Sequence, residues 1–503
     1  MFHFICCPAV LVLALATTLG QDVDKPAFTV SKETTYLTGP LYPDGNVDYL
    51  AGLNAKLSAG VTRENNALVP LIQAVGPLEG NKRRPPALYQ LLGMSEPAEQ
   101  GDYLLDYPEF HKKFNQPDFN YDEWLNYNSK RPWYKPDFPQ FVRWMDVNEK
   151  PLQLVEAATK RSHYFQPHVS DPNLPDIGLS TGLLTASIPI LDKKRTMVDL
   201  LLTRAMLRLG AQDTSGAWAD ILTVMRLSRV LGKGPVLIDH LLMVNFDNLA
   251  CDAVLVFLQE AELSKKQLQN CLHDLEQLPP MSTLASKYEV GERCYQLDSL
   301  LAMRRQKQET SEAKNRISKI NWDVPLRKIN VDCDRLVAAM NETSRIKRLA
   351  DLNQMEADAK KRKEQTDSIM KSLNSSKPLD DALMNAYADF VGITTMPAII
   401  KTHSATEQNT QRQLNLRIAF ALAQYHLDKG GYPESLTTLA PTYMKVVPND
   451  LFSDKPLIYS KTKKGYRFYS VGLNGKDEGG RSSTDDPRGD DILVQMPLPN
   501  VPK

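Results

Sequence analysis

From Lys194 onward, apolar residues recur at three- and four-residue spacings, the period of a helix with one buried face. Val198, Leu201, Leu202, Ala205 and Leu209 share that face, and Gly210 ends the run. A second helix is predicted from about Thr214, burying Trp218, Ile221, Leu222 and Met225, and stopping by Gly232. Pro235 suits the first turn of a third, long and largely apolar helix reaching about Glu260. Ser264-Lys-Lys-Gln267 is a capping-box signature for a fourth, stopped by Pro279-Pro280. Short turns between such helices make antiparallel hairpins, so this part reads as an all-α scaffold. One pair resembles a tetratricopeptide-like unit, but no fixed period repeats and no solenoid is expected.

The pattern changes on both sides. Residues 301–370 stay helical but carry 16 Lys/Arg against 11 Asp/Glu, a mixture that marks the solvated face of long helices, and Asn374-Ser-Ser-Lys-Pro378 reads as a break. Upstream, Val47 to Asn54 looks like a helix start. Residues 103–165 crowd Trp124, Trp133, Tyr134, Phe138, Phe141 and Trp144 between prolines. Such aromatics are read as the core of a small irregular domain, the other reading being a platform on which sugars or peptides stack. Near the C-terminus, Leu414, Ile418, Leu422 and Tyr425 line a helix ending at Gly430-Gly431, and Tyr432 to Leu436 opens a short helical turn. Strands are expected at Leu457–Tyr459 and Tyr466–Val471, joined by the hairpin turn Lys461-Thr-Lys-Lys-Gly465.

The expected fold class is therefore mainly α: a helical-hairpin bundle scaffold with a small C-terminal α+β module. Four segments follow: 1–20 as a signal peptide, 21–185 as an aromatic- and Pro-rich irregular or helical region, 186–400 as the scaffold, and 405–503 as the module. The signal assignment rests on an apolar run from Ala9 to Ala16 that is short for a bilayer span and ends in small residues, with cleavage expected after Ala16 or Gly20. The expected location is secreted, periplasmic or cell envelope, with no transmembrane span once the signal is removed.

Composition narrows the partners. The 503 residues are 42% apolar and 24% charged, which fits a folded chain with more than one core. Sixty Lys/Arg balance sixty Asp/Glu, so bulk charge gives no argument for nucleic acid or an anionic membrane. Beyond the signal lie Cys251, Cys271, Cys294 and Cys333, which permit two disulfides in three pairings or four buried thiols.

The candidate chemistry lies in the tail. Tyr466 to Val471 empties into a loop dense in Gly and carboxylates, running from Gly472 to Asp491. Oxygen ligands on a backbone free to turn its carbonyls inward are what a hard cation needs.

This tail resembles the globular domain of the major pseudopilin of type II secretion systems. The matching residues are His426-Leu-Asp428-Lys-Gly-Gly-Tyr432-Pro433, then Pro448-Asn-Asp450-Leu-Phe452, then Ser470-Val-Gly472-Leu-Asn474-Gly475 with Asp490-Asp491-Ile492 closing the loop. The resemblance implies calcium in that loop. Asn474 stands where the family commonly has a ligand Asp, Asp490 or Asp491 stands at the closing ligand, and Val471 would offer its carbonyl. Arg481 to Gly489 lengthens the loop, so Asp477, Asp485 or Asp486 either substitutes or is merely solvated. Val471, Asn474, Asp477, Asp490 and Asp491 are the expected metal ligands. Pilin assembly is not implied, because some 400 residues precede the module.

The whole chain also resembles a group of exported proteins of planctomycete-type bacteria. The stretches that carry this are Thr38-Gly-Pro-Leu41 with Asp48-Tyr-Leu50, Trp144 with Asn148-Glu149, Gly234-Pro-Val-Leu-Ile238 and Tyr469-Ser-Val-Gly472. That likeness implies export and no particular activity.

Catalytic motifs are weak. Gly178-Leu-Ser180-Thr-Gly182 matches the nucleophile-elbow pattern but follows a loop rather than a strand. His163 and His168 are close in sequence, yet Pro167 breaks the geometry that would aim both at one metal, so a surface or satisfied pair is expected. Asp239 and His240 on an apolar helix read as structural, with a buried acid–base pair as the alternative. The expected function is a non-enzymatic exported binding or structural protein with an unidentified protein or envelope partner. The alternative is a secreted hydrolase of polysaccharide or peptide with its cleft in residues 103–165.

Overall fold

The computed structural model describes residues 28–43, 45–80, 82–116, 120–170, 182–187, 191–305, 317–371 and 380–499. The expected signal segment and Ser180 lie outside them. Among the described residues there are fifteen α-helices and three small antiparallel sheets.

Seven short helices build the N-terminal part: α1 (Tyr49–Leu57), α2 (Leu68–Val75), α3 (Pro86–Leu91), α4 (Tyr107–Phe114), α5 (Tyr121–Asn128), α6 (Pro139–Val147) and α7 (Glu149–Thr159). Two two-residue hairpins accompany them, β1 (Leu78–Glu79) with β2 (Lys82–Arg83), and β3 (Val169–Ser170) with β4 (Ala186–Ser187). Trp124, Trp133, Phe141 and Trp144 are core, Phe138 is half-buried against them, and Tyr134 is exposed. Trp124 stacks on Phe141, Trp133 meets Trp124 edge-on, and the indole N–H groups of Trp133 and Trp144 donate to the carbonyls of Thr203 and Leu105 at 3.0 and 2.8 Å. Both indoles thus bury their ring and satisfy their donor.

The scaffold helices follow their predicted punctuation except at the third, which begins at Leu237, so that Pro235 lies in the turn before the helix and not in its first turn. They are α8 (Leu191–Gly210), α9 (Thr214–Leu231), α10 (Leu237–Glu260) and α11 (Lys265–Glu276). Asp213 caps α9 through Gly216 N, and Ser264 and Gln267 close the predicted capping box on α11. After a π-turn at Lys287–Gly291 come α12 (Glu292–Arg305), α13 (Asp323–Asn341) and α14 (Arg345–Met370). The four cysteines are buried and free, so neither disulfide forms.

The last helix, α15 (Asp381–Lys429), has 49 residues, about 74 Å at 1.5 Å per residue. The 400/405 division drawn from sequence falls inside it. Pro397 sits within it at an exposed position, and its missing N–H leaves the carbonyl of Ile393, one turn back, without its usual helical donor. This helix threads four hydrophobic clusters. Leu383, Met384 and Tyr387 pack with α1, α12 and α13; Ile393, Met396 and Ile399 pack with α13 and α14. Leu416 and Phe420 join the large N-terminal and scaffold core, while Ile418 and Leu422 face the C-terminal sheet. Helices α10 and α15 are long and apolar enough to cross a membrane by length and composition alone, but their most apolar windows are 56% and 50% buried within the protein.

A left-handed Gly430 ends α15, and a 3-10 turn at Leu436–Leu439 leads to the sheet β5 (Ile458–Lys461), β6 (Tyr466–Ser470) and β7 (Ile492–Met496). The central strand β6 pairs antiparallel with both neighbours, Ile458 opposite Tyr469 and Ser470 opposite Ile492. Its Tyr466 and Phe468, with Val494, close on Ile418 and Leu422 of α15. The acidic loop therefore joins two neighbouring strands on a helix-backed sheet.

Candidate metal centre

Asp450 anchors the base of the loop. It is buried, and its carboxylate accepts four hydrogen bonds: from Ser470 Oγ (2.7 Å) and Phe452 N (3.0 Å) at Oδ1, and from Val471 N (3.0 Å) and Ser453 Oγ (2.9 Å) at Oδ2. The end of β6 is thereby fixed before the chain turns at Gly472, whose φ is +64°. A Cβ there would stand 2.2 Å from the carbonyl oxygen of Asp490, so the close approach of the two loop arms requires glycine. Gly472→Ala is expected to cost about 2 kcal/mol through this strain. An unchanged thermal midpoint in that variant would contradict the tight crossing.

Across this crossing the loop brings together Glu478, Asp490 and Asp491, with one carboxylate oxygen from each lying within 4.8 Å of the others. Each is held from behind by backbone. Asp490 Oδ2 accepts from Asn474 N (2.9 Å), Asp491 Oδ2 from Glu478 N (3.1 Å) and Gly480 N (2.7 Å), and Glu478 Oε2 from Asp490 N (2.9 Å). Two oxygens remain over: Asp490 Oδ1 and Asp491 Oδ1 are buried and accept no hydrogen bond. Burial first, and then the neighbouring Glu478 charge, raises the pKa of both aspartates, while hydrogen bonds from Asp490 N and Asn474 lower that of Glu478.

The sequence-predicted ligands separate here. Asp490 and Asp491 converge. Asp477 is turned to Tyr469, accepting its hydroxyl at 2.9 Å and Gly479 N at 2.9 Å. The side-chain oxygen of Asn474 accepts from Lys476 N at 2.6 Å, and its amide donates to Glu478 at 2.7 Å, so it orients a carboxylate of the group instead of joining it. Val471 is held through its N–H on Asp450. Asp485 accepts from Ser482 N and belongs to its own turn. Glu478 was missed by sequence reasoning. Its one signal is a position two residues before Gly480, whose left-handed backbone turns the chain back toward Asp491.

Elsewhere, His163 bonds Ser162 Oγ (2.8 Å) at the surface, while His168 is buried with neither ring nitrogen partnered. The expected surface or satisfied pair therefore fails at His168. Asp239 and His240 form no acid–base pair: Asp239 binds Lys194 and His240 binds Thr406. No known protein family matches the chain, and no curated protein or solved structure matches it either.

Proposed function

We propose that this chain is a non-enzymatic exported protein of the periplasm or cell envelope, with a binding or structural role, whose pseudopilin-like C-terminal module is locked by calcium. The observation that carries the metal reading is the pair of buried, unpartnered oxygens on Asp490 and Asp491 beside Glu478. Three carboxylates without a cation among them repel one another, and an all-oxygen donor set favours a hard divalent ion over zinc. Backbone carbonyls, with that of Val471 the expected one, and water would complete the shell. The hydrolase alternative needs a cleft among residues 103–165, but Trp124, Trp133, Phe141 and Trp144 there are closed on one another.

Calcium that binds the native loop and not the unfolded chain stabilises the fold by about 2.7 kcal/mol at a hundredfold excess over Kd. Thermal unfolding in calcium and in chelator is expected to show a rise in Tm that Asp490→Ala/Asp491→Ala loses. The rise should shrink as pH falls through the carboxylate range, because both aspartates must be ionised to bind the ion. An equal Tm in calcium and chelator would remove the metal from this reading.

A further inference from the structure

A second place with room for a ligand lies among the later scaffold helices, away from the acidic loop. A half-open cleft of about 440 Å³, measured out to its mouth, lies between α12, α13, α14 and α15. That volume is within the range of small-molecule sites. Its walls are apolar and buried: Leu336 of α13, Met355 of α14, and Met396 and Ile399 of α15. The two methionines can adjust to an apolar guest. Gly392 keeps one flank of the cleft open, because a Cβ there would meet nothing nearer than Asp332 Oδ2 at 3.5 Å.

Asp332 of α13 is the group this cleft leaves unmatched. Its side chain is 31% exposed, so it is reached from solvent, and among the described residues its carboxylate accepts no hydrogen bond. One cation comes within 4.0 Å, Arg362 Nη1, and that guanidinium is bonded to Asp389. Lys328 also goes to Asp389 (2.5 Å), and Arg335 goes to Asp358 (2.8 Å). Burial outweighs these cations and raises the Asp332 pKa, with Asp389 adding like-charge repulsion. Two neutral acceptors share the lining. Thr395 gives its proton to Val391 O (2.8 Å) and keeps its lone pairs, and the Gln296 side-chain oxygen takes the Cys333 thiol at 3.5 Å and has a second lone pair.

We propose that this cleft binds a small primary alkylamine, its ammonium on Asp332 and its chain against Met355, Met396 and Ile399. The charge of the guest follows from the pairs already made. An anion would have to draw Arg335 from Asp358 or Arg362 from Asp389. A neutral guest would bury Asp332 further and bring it no countercharge. An ammonium brings that charge and three donors, for which Asp332, Thr395 and Gln296 offer acceptors.

Butylamine, butanol and butyrate, alike in chain and different in charge, separate the possibilities on the full chain at pH 7 and constant ionic strength. With 13C-methyl-labelled methionine, assigned through Met355→Leu and Met396→Leu, butylamine is expected to shift the Met355 and Met396 signals saturably. It should bind about tenfold more tightly than butanol, and butyrate should leave both signals in place. Asp332→Asn keeps the shape of the side chain and removes its charge, so it should weaken butylamine about tenfold and leave butanol unchanged. The wild-type comparison decides by itself if that variant does not fold. Absence of saturable shifts with butylamine, a response to butyrate, equal affinity for amine and alcohol, or undiminished amine binding in folded Asp332→Asn would each overturn the proposal. The calcium site contains none of these residues, so either test can fail without the other.

Discussion

Asp247→Ala is expected to destabilise the protein by about 3–5 kcal/mol, because it strands a buried cation. Asp247 in α10 is fully buried and pairs with Arg229 of α9, itself buried and bonded further to Met225 O (3.0 Å) and Ser228 Oγ (2.9 Å). The same carboxylate accepts from Asn409 Nδ2 (2.9 Å) and Gln413 Nε2 (2.7 Å) of α15. One side chain thus ties three helices together, and its loss removes the only charged acceptor shared by three donors, leaving Arg229 on Met225 and Ser228, Asn409 on Asn248 and Gln413 on Asn409, all neutral partners. Urea denaturation should show a lower midpoint with an unchanged slope. A double substitution, Arg229→Met with Asp247→Leu, should recover much of the loss, since a buried ion pair replaced by apolar groups is often near neutral. A loss below about 1 kcal/mol in Asp247→Ala would mean that water or another cation already compensates Arg229.

The second large effect is a pH dependence carried by His240. Burial, and then the nearby Lys287, lowers its pKa from 6.5 to about 4. A depressed folded-state pKa means that the unfolded chain binds the proton more readily. The contribution is therefore present above pH 6.5 and is lost as pH falls toward 4, amounting to about 3 kcal/mol for a shift of this size. Glu292, raised to about 7 by burial, works in the opposite sense over an overlapping range, so the stability curve of the wild type alone is not diagnostic. The difference between wild type and His240→Leu isolates the imidazole. That difference should change by about 3 kcal/mol between pH 7 and pH 4, the variant gaining relative to wild type in acid. A constant difference would place the imidazole in contact with water.

Much of the scaffold could be read from local chemistry. Helices α8 to α11 carry a one-faced apolar period and clear punctuation at Gly210, Asp213 and Ser264, and the end of α15 is marked by Gly430. The length of α15 could not be read in the same way, for a physical reason. Its middle buries Thr402, His403, Glu407, Asn409, Gln411 and Asn415, so the apolar period disappears where the helix is most enclosed, and Pro397 adds a false stop. Those polar groups are satisfied by partners distant in sequence: Arg345 for Glu407, Asp247 for Asn409 and the backbone of Leu451 for Gln411. Strand β7 was hidden by the long loop before it, and Glu478 by a loop geometry set by Gly472 and Gly480. The cleft beside Asp332 shows the same limit. Its members are visible singly, but α12 to α15 bring them together through tertiary packing alone.

The 49-residue helix also sets a timetable. Residues 383 to 422 supply staves to all four hydrophobic clusters, yet they are synthesised after most of the residues they cover. Until they emerge, the cluster built on Trp322 and Leu326 lacks one wall, and the one built on Leu336 and Leu352 lacks its spine. Apolar surface on α12 to α14 then waits uncovered, the condition that invites aggregation or chaperone capture. Arrival of this one helix is the step that turns four open half-cores into one packed body.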